Sequence, residues 1–163
     1  MSLYIVMGFL MLAVLWNIAN VERLLVAAVV SSITLISYWV YYFGPAEYLI
    51  HHMGYWGYLS LAPIISIGVL YFIRNVTSTS LMLLFVVLIF THLICYLVEL
   101  FGVTIDEGYQ YISWAFFAIE ILILMSERVS HAVFNLCHRV YHSSHLDRNH
   151  PDYWPKNSIG TLK

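Results

Sequence analysis

Charge is what this sequence has least of: Asp, Glu, Lys and Arg make up only 10% of its 163 residues. A water-soluble domain carries about 25%, so the chain lacks the ionic groups to cover a soluble surface. Basic residues number seven against nine acidic ones, for a formal net charge of −2, and they form no cluster. Nucleic acid is therefore not expected as a partner. The two cysteines, Cys95 and Cys137, fall in apolar segments with no CxxC spacing, which argues against a disulfide framework or a zinc knuckle. Glycine and proline are missing between Gly8 and Gly44 and again from Tyr109 to His150. Long uninterrupted helices are the natural use of such stretches.

What is present is apolar. The sequence is 61% hydrophobic, with a mean hydropathy of +0.80, and its length suits one domain. An all-α integral membrane protein follows. A helix needs about 20 apolar residues to cross the hydrocarbon core, and five candidates exist: Leu3–Ile18, Leu24–Phe43, Leu59–Ile73, Leu81–Phe101 and Tyr109–Met125. The first run has no basic stretch before it and no small-residue cleavage site after it, so it is read as a retained span. Neither end carries a lipidation box. Asn17, Asn20, Glu22 and Arg23 form a polar knot that would be expensive at membrane depth. A tight helical hairpin is expected there.

Loop charges give an orientation. Arg23 follows span one, Arg74 span three, and Arg128, Arg139, Arg148, Lys156 and Lys163 follow span five. The other loops carry Glu47 and Asp106-Glu107 and no basic residue. By the positive-inside rule the N-terminus is outside and the C-terminus cytoplasmic. Aromatics crowd the outer ends of spans two and three, from Tyr38 to Tyr58, and of span five at Tyr109, Tyr111 and Trp114. An interfacial anchoring belt explains them first, and a ligand-binding cage second. The connection from Pro45 to Tyr58 has room for a short interfacial helix bearing His51 and His52. The sequon at Asn75 falls in a loop placed on the cytoplasmic side, where it carries no meaning.

Polar groups inside spans are the candidates for function, because lipid tolerates them poorly. In span four, His92, Cys95, Tyr96 and Glu99 follow helical spacing and share a face. In span five, Ser113, Glu120 and Glu127 recur every seven residues. At 1.5 Å rise per residue, His92 lies roughly 13 Å and Glu120 roughly 16 Å below the outer ends of their helices. The two are expected to face each other near the midplane. Their union is either an interhelical hydrogen bond or part of a proton or ion relay through Glu99, His92, Glu120 and Glu127.

Span five is expected to continue as one long helix into the cytoplasm, ending before Pro151, so that residues 1–126 form the bundle and 127–163 an extension with a short tail. His131, His138, His142 and His145 form a stripe on that extension. It suits an amphipathic segment lying on the membrane or on a partner helix. His138, His142 and His145 are also spaced to hold a divalent metal, although no carboxylate completes the set. The run His138-Arg139-Val140-Tyr141-His142-Ser143-Ser144 resembles a histidine box of the membrane fatty-acid hydroxylase and sterol desaturase family. That resemblance implies histidine-held iron. It covers about seven residues, and the further boxes it requires are missing: His51-His52 lacks a third partner and His92 stands alone in a span. A haem would need axial ligands at matched depth on two helices, and His92 has no such mate.

The expectation is therefore a small non-enzymatic membrane subunit in a lipid bilayer, within a homo-oligomer or a larger membrane complex, with proton or ion conduction along spans four and five. A structural, anchoring or phage-type pore-forming protein is the alternative class. A histidine-ligated metal enzyme comes third.

Overall fold

The computed structural model describes residues 3–44, 46–103 and 105–144. Seven helices and no strand occupy them: α1 (Leu3–Trp16), α2 (Val21–Phe43), α3 (Ala46–Met53), α4 (Tyr55–Leu70), α5 (Val76–Leu100), α6 (Asp106–Met125) and α7 (Glu127–Ser144). Three helices, α2, α5 and α6, are long and apolar enough to cross a membrane, and α3 with α4 would make a fourth. The fourth is bent by 106°. The break falls at Gly54, whose φ of 75° lies in the left-handed region that glycine enters without strain. α1 has 14 residues and reaches about 21 Å, less than the roughly 30 Å of hydrocarbon. The expected spans one and three are thus short helices.

The exterior is apolar and the interior is partly polar, the reverse of a soluble bundle. On α5, Phe90, Leu93, Ile94 and Leu97 are exposed, while Thr77, Ser78, Ser80 and His92 are buried. Such a surface suits lipid. α5 begins at a capping box, in which Asn75 accepts from the Ser78 N–H and Ser78 accepts from the Asn75 N–H. The helices run up and down. α4, α6 and α7 pack on α5, and α1 packs on α2 and α6. Val6, Leu10, Val26, Val30, Leu81 and Leu124 fill the core between them.

The expected hairpin after α1 is present, and the polar knot is satisfied within it. Asn20 caps α2 by accepting from the Arg23 N–H. Asn17 and Arg23 are buried and reach across to the end of α6. Asn17 Nδ2 donates to the Leu124 carbonyl at 2.9 Å. One terminal nitrogen of Arg23 donates to the carbonyls of Ile123 (3.1 Å) and Leu124 (2.8 Å), and its Nε donates to Asn17 Oδ1 at 3.0 Å. These carbonyls end a helix and have no intrahelical donor. A cation there also faces the negative end of the helix dipole.

They are exposed to capping because the long fifth helix is not continuous. Ser126 is extended (φ −121°, ψ 115°) and separates α6 from α7. Its Oγ accepts from the Val129 N–H, so it serves as the N-cap of α7, and Glu127 occupies the first turn. α7 then lies against α5 and α6 through Val129, Ser130 and Val133. Ser80 Oγ fastens it to α5 by donating to the Ser130 carbonyl at 2.7 Å. Val129 and Val133 of α7 are thus covered by the same chain, while Leu136 is exposed.

Replacing Arg23 with Ala should take one charged donor from each of the Ile123 and Leu124 carbonyls, leaving them Ser130 Oγ and Asn17 Nδ2, and cost about 2 kcal/mol. Arg23→Lys, which keeps the charge but loses the fork, should recover only part of it. Unfolding in mixed detergent–SDS micelles measures both, and equal stability of Arg23→Ala and the parent would refute the lock.

Candidate functional site

Four helices, α2, α4, α5 and α6, enclose a cavity of about 430 Å³ at the end of the bundle away from Arg23. Its rim includes Tyr41, Tyr42 and Tyr55, which are exposed, and its depth includes Phe85, Phe117 and Glu120, which are buried. Pro63 of α4 also lines it. That residue has no N–H, so the Leu59 carbonyl, on the same wall, cannot receive its usual helical bond. Among the described residues lining the cavity there is neither Lys nor Arg.

Glu120 stands at this wall, 8% exposed. Its Oε1 is buried without a hydrogen-bond partner among the described residues. Ser113 is on the same wall and the same helix, two turns nearer the rim.

His92 lines the same cavity but does not bond to Glu120. Its two ring nitrogens are taken by other partners: Nδ1 lies 2.9 Å from Ser60 Oγ, and Nε2 lies 2.5 Å from the Tyr109 hydroxyl. The expected direct pair of His92 and Glu120 is therefore replaced by two groups lining a shared space. The Ser60 hydroxyl also donates to the Trp56 carbonyl at 2.8 Å. A hydroxyl has one hydrogen; with the Ser60 hydrogen on the Trp56 carbonyl, a neutral imidazole donates from Nδ1 to Ser60 and accepts at Nε2 from Tyr109. The result is a one-way chain from the Tyr109 O–H through the imidazole and Ser60 to the Trp56 carbonyl. It links α6, α5 and α4.

Glu99 lies outside the cavity wall. It accepts from Trp56 Nε1 at 2.6 Å, and the Trp56 ring stands edge-on to Tyr109 with centroids 4.7 Å apart. Of the expected α5 face, His92 and Cys95 are buried and Glu99 half-buried, while Tyr96 is exposed. Glu127 is removed from the seam altogether. The break at Ser126 puts it on α7, where it is exposed and its carboxylate lies 3.7 Å from His131 Nε2.

Of the histidine stripe, only His131 and His138 have described side chains. His131 is exposed, and His138 stacks on Phe134 with centroids 6.4 Å apart. His142 belongs to α7 by its backbone, and His145 lies outside the described residues. Among those described, no three His, Cys, Asp or Glu side chains group to hold a metal. His51 and His52 are exposed on α3 with rings in contact at 5.3 Å, and His52 Nδ1 meets the Tyr48 carbonyl at 2.8 Å.

Sequence reasoning missed Ser60, Trp56 and Tyr109 as the partners of His92 and Glu99. The spacing of Trp56 and Ser60, four residues apart, was the available signal. It also assigned the tyrosines chiefly to a surface belt. The structure divides them: Trp39, Phe43 and Tyr111 are exposed, whereas Tyr38, Tyr58 and Tyr109 are inside and line the cavity.

The hydrogen-bond order predicts a neutral His92 with its proton on Nδ1. Nitrogen NMR of histidine-labelled protein should show that tautomer, and Tyr109→Phe should shift the bare Nε2 resonance while leaving Nδ1 protonated. A proton on Nε2 in the parent would contradict the chain. Comparison with family models, with curated proteins and with solved structures gives no match for this sequence.

Proposed function

We propose that this chain is a non-enzymatic, multi-pass membrane subunit that accepts a proton or another cation into the cavity, with Glu120 as the accepting group. One observation carries the reading: a carboxylate buried in a membrane-suited bundle, with one oxygen unpartnered, on the wall of a cavity that has no basic side chain. An ionised carboxylate so placed needs a proton or a cation as partner. The chain of hydrogen bonds through Tyr109, His92 and Ser60 supplies exchangeable protons on the same wall. Glu99 and Glu127, expected in the same relay, take no part in this version.

The cavity does not run through the bundle. Beyond Glu120 lie Ile121, Ile123 and Leu124, all buried, and then the Arg23–Asn17 lock. Passage to the other side requires either a rearrangement of the helices or a neighbouring copy or subunit. A binding or carrier role fits this better than an open pore.

The proposed frame keeps five crossings, N-terminus outside and C-terminus cytoplasmic. Its support is the gathering of Arg23, Arg74 and Arg128 at one end of the up-and-down bundle, opposite α3 and the cavity mouth. The short α1 and the bent α3–α4 pair would cross by local thinning of the bilayer and by burial against neighbouring helices. In a variant with Cys95 and Cys137 replaced by Ser, a cysteine at Tyr48 should react with an impermeant maleimide from outside intact cells. One at Arg74 should react only after permeabilisation. The reverse pattern would invert the frame.

In proteoliposomes under an imposed pH or salt gradient, Glu120→Gln should lower proton or cation uptake by at least about tenfold. Glu127→Gln should leave it unchanged. Equal flux in Glu120→Gln and the parent, or no flux in the parent at any cation, returns the chain to the structural class.

A further inference from the structure

The composition of the cavity wall says more about the cation than its charge. Six tyrosines line it, together with Trp114, Phe85, Phe116 and Phe117. Aromatic rings attract cations through their faces, most strongly once water is excluded. An inorganic ion wants a compact shell of about six oxygen ligands, whereas most of the oxygens on this wall are phenol hydroxyls at the tips of large rings, with one carboxylate among them. A volume of about 430 Å³ is also far larger than a bare ion and falls in the range of small-molecule sites. A bulky ion whose charge is wrapped in carbon answers each feature at once.

We propose that the cavity binds one organic ammonium ion, its charge opposed by the Glu120 carboxylate and its alkyl groups packed on the tyrosine and Trp114 rings. The inference rests on the reading that the cavity is the working site, and it goes further by fixing the chemical class of the occupant. Among the described residues the wall carries no Lys or Arg. Its basic candidate, His92, has both ring nitrogens engaged by Ser60 and Tyr109 and sits neutral in that arrangement. Glu120 is the acidic group of the lining, so one positive charge per cavity is matched. The exposed Tyr41, Tyr42 and Tyr55 at the rim give an aromatic entrance, along which a weakly hydrated cation loses its water more readily than a metal ion does. A proton and the ammonium ion would then be alternatives on one carboxylate, a simple basis for exchanging one for the other.

The test is equilibrium binding of tetraethylammonium chloride to the full chain in nanodiscs of uncharged phosphatidylcholine, measured by calorimetry against empty discs. One ion per chain should bind, and potassium chloride at the same concentration should not displace it. Glu120→Gln should weaken binding by at least about a hundredfold. Trp114→Leu should weaken it roughly tenfold, while Tyr38→Phe, which keeps the ring, should stay within about threefold. Size-exclusion profile and unfolding midpoint check that each variant folds. If Glu120→Gln does not fold, Trp114→Leu decides, and an unchanged affinity there overturns the proposal. So does an absence of tetraethylammonium binding to the parent, displacement by potassium, or a Glu120→Gln affinity within twofold of the parent. Cation flux in liposomes without ammonium binding sinks this inference alone. Ammonium binding without any flux keeps the site and sinks the transport reading.

Discussion

The capping of α6 by Arg23 and Asn17 is the contact on which the rest of this bundle depends. Helices in lipid gain little from apolar burial, because the solvent is as apolar as the core. What lipid punishes is an unsatisfied backbone group. The end of α6 presents carbonyls near the basic end of the bundle, and Asn17 from the turn after α1 and Arg23 from α2 meet them with three hydrogen bonds. The same contact fixes which helix ends lie together. Once the start of α2 is tied to the end of α6, the opposite ends of both helices must meet at the other face. There they form two walls of the cavity.

Much of the architecture was legible because membrane sequences state it in composition. The hairpin was visible at Asn17–Arg23, the short helix over residues 46–53 was visible after Gly44, and the burial of His92 and Glu120 followed from polar side chains within apolar helices. The helix break at Ser126 was not. The expectation of one long helix rested on the absence of Gly and Pro from Tyr109 to His150, but a helix can also end where a new N-cap begins. Ser126 followed by Glu127 is such a start signal, a serine ahead of a carboxylate in the first turn. The apolar run ending at Met125 masked it. Periodicity then carried Glu127 onto the Glu120 face by arithmetic that the break had already voided.

The site was legible in its parts and not in its pairing. Spacing along α5 and α6 could say that His92 and Glu120 lie at similar depth. It could not say which of several polar groups would reach the imidazole first. Ser60 and Tyr109 win because they supply complementary hydrogen bonds to both ring nitrogens, which a single carboxylate at the far wall cannot do. The tyrosines misled for a related reason. Tyr favours membrane interfaces and also favours the walls of polar cavities, since each offers burial for the ring and a partner for the hydroxyl. Sequence places Tyr38 and Trp39 side by side, but only three-dimensional packing turns one inward and leaves the other exposed.

The two ends of the bundle thus meet the same constraint in opposite ways. At the basic end a cation from the chain itself, Arg23, is spent on backbone carbonyls, and the interior there closes. At the aromatic end the chain provides a carboxylate and no cation, and the interior opens. Arg23, Arg74 and Arg128, the basic residues whose side chains are described, stay off the cavity wall and leave Glu120 without a cation from among them. In the proposed reading a ligand supplies the missing positive charge, and the aromatic residues that share the cavity lining with Glu120 favour one clothed in carbon. If an ion enters as proposed, closure at the basic end gives the cavity a floor, and a cavity with a floor can hold an ion without leaking it.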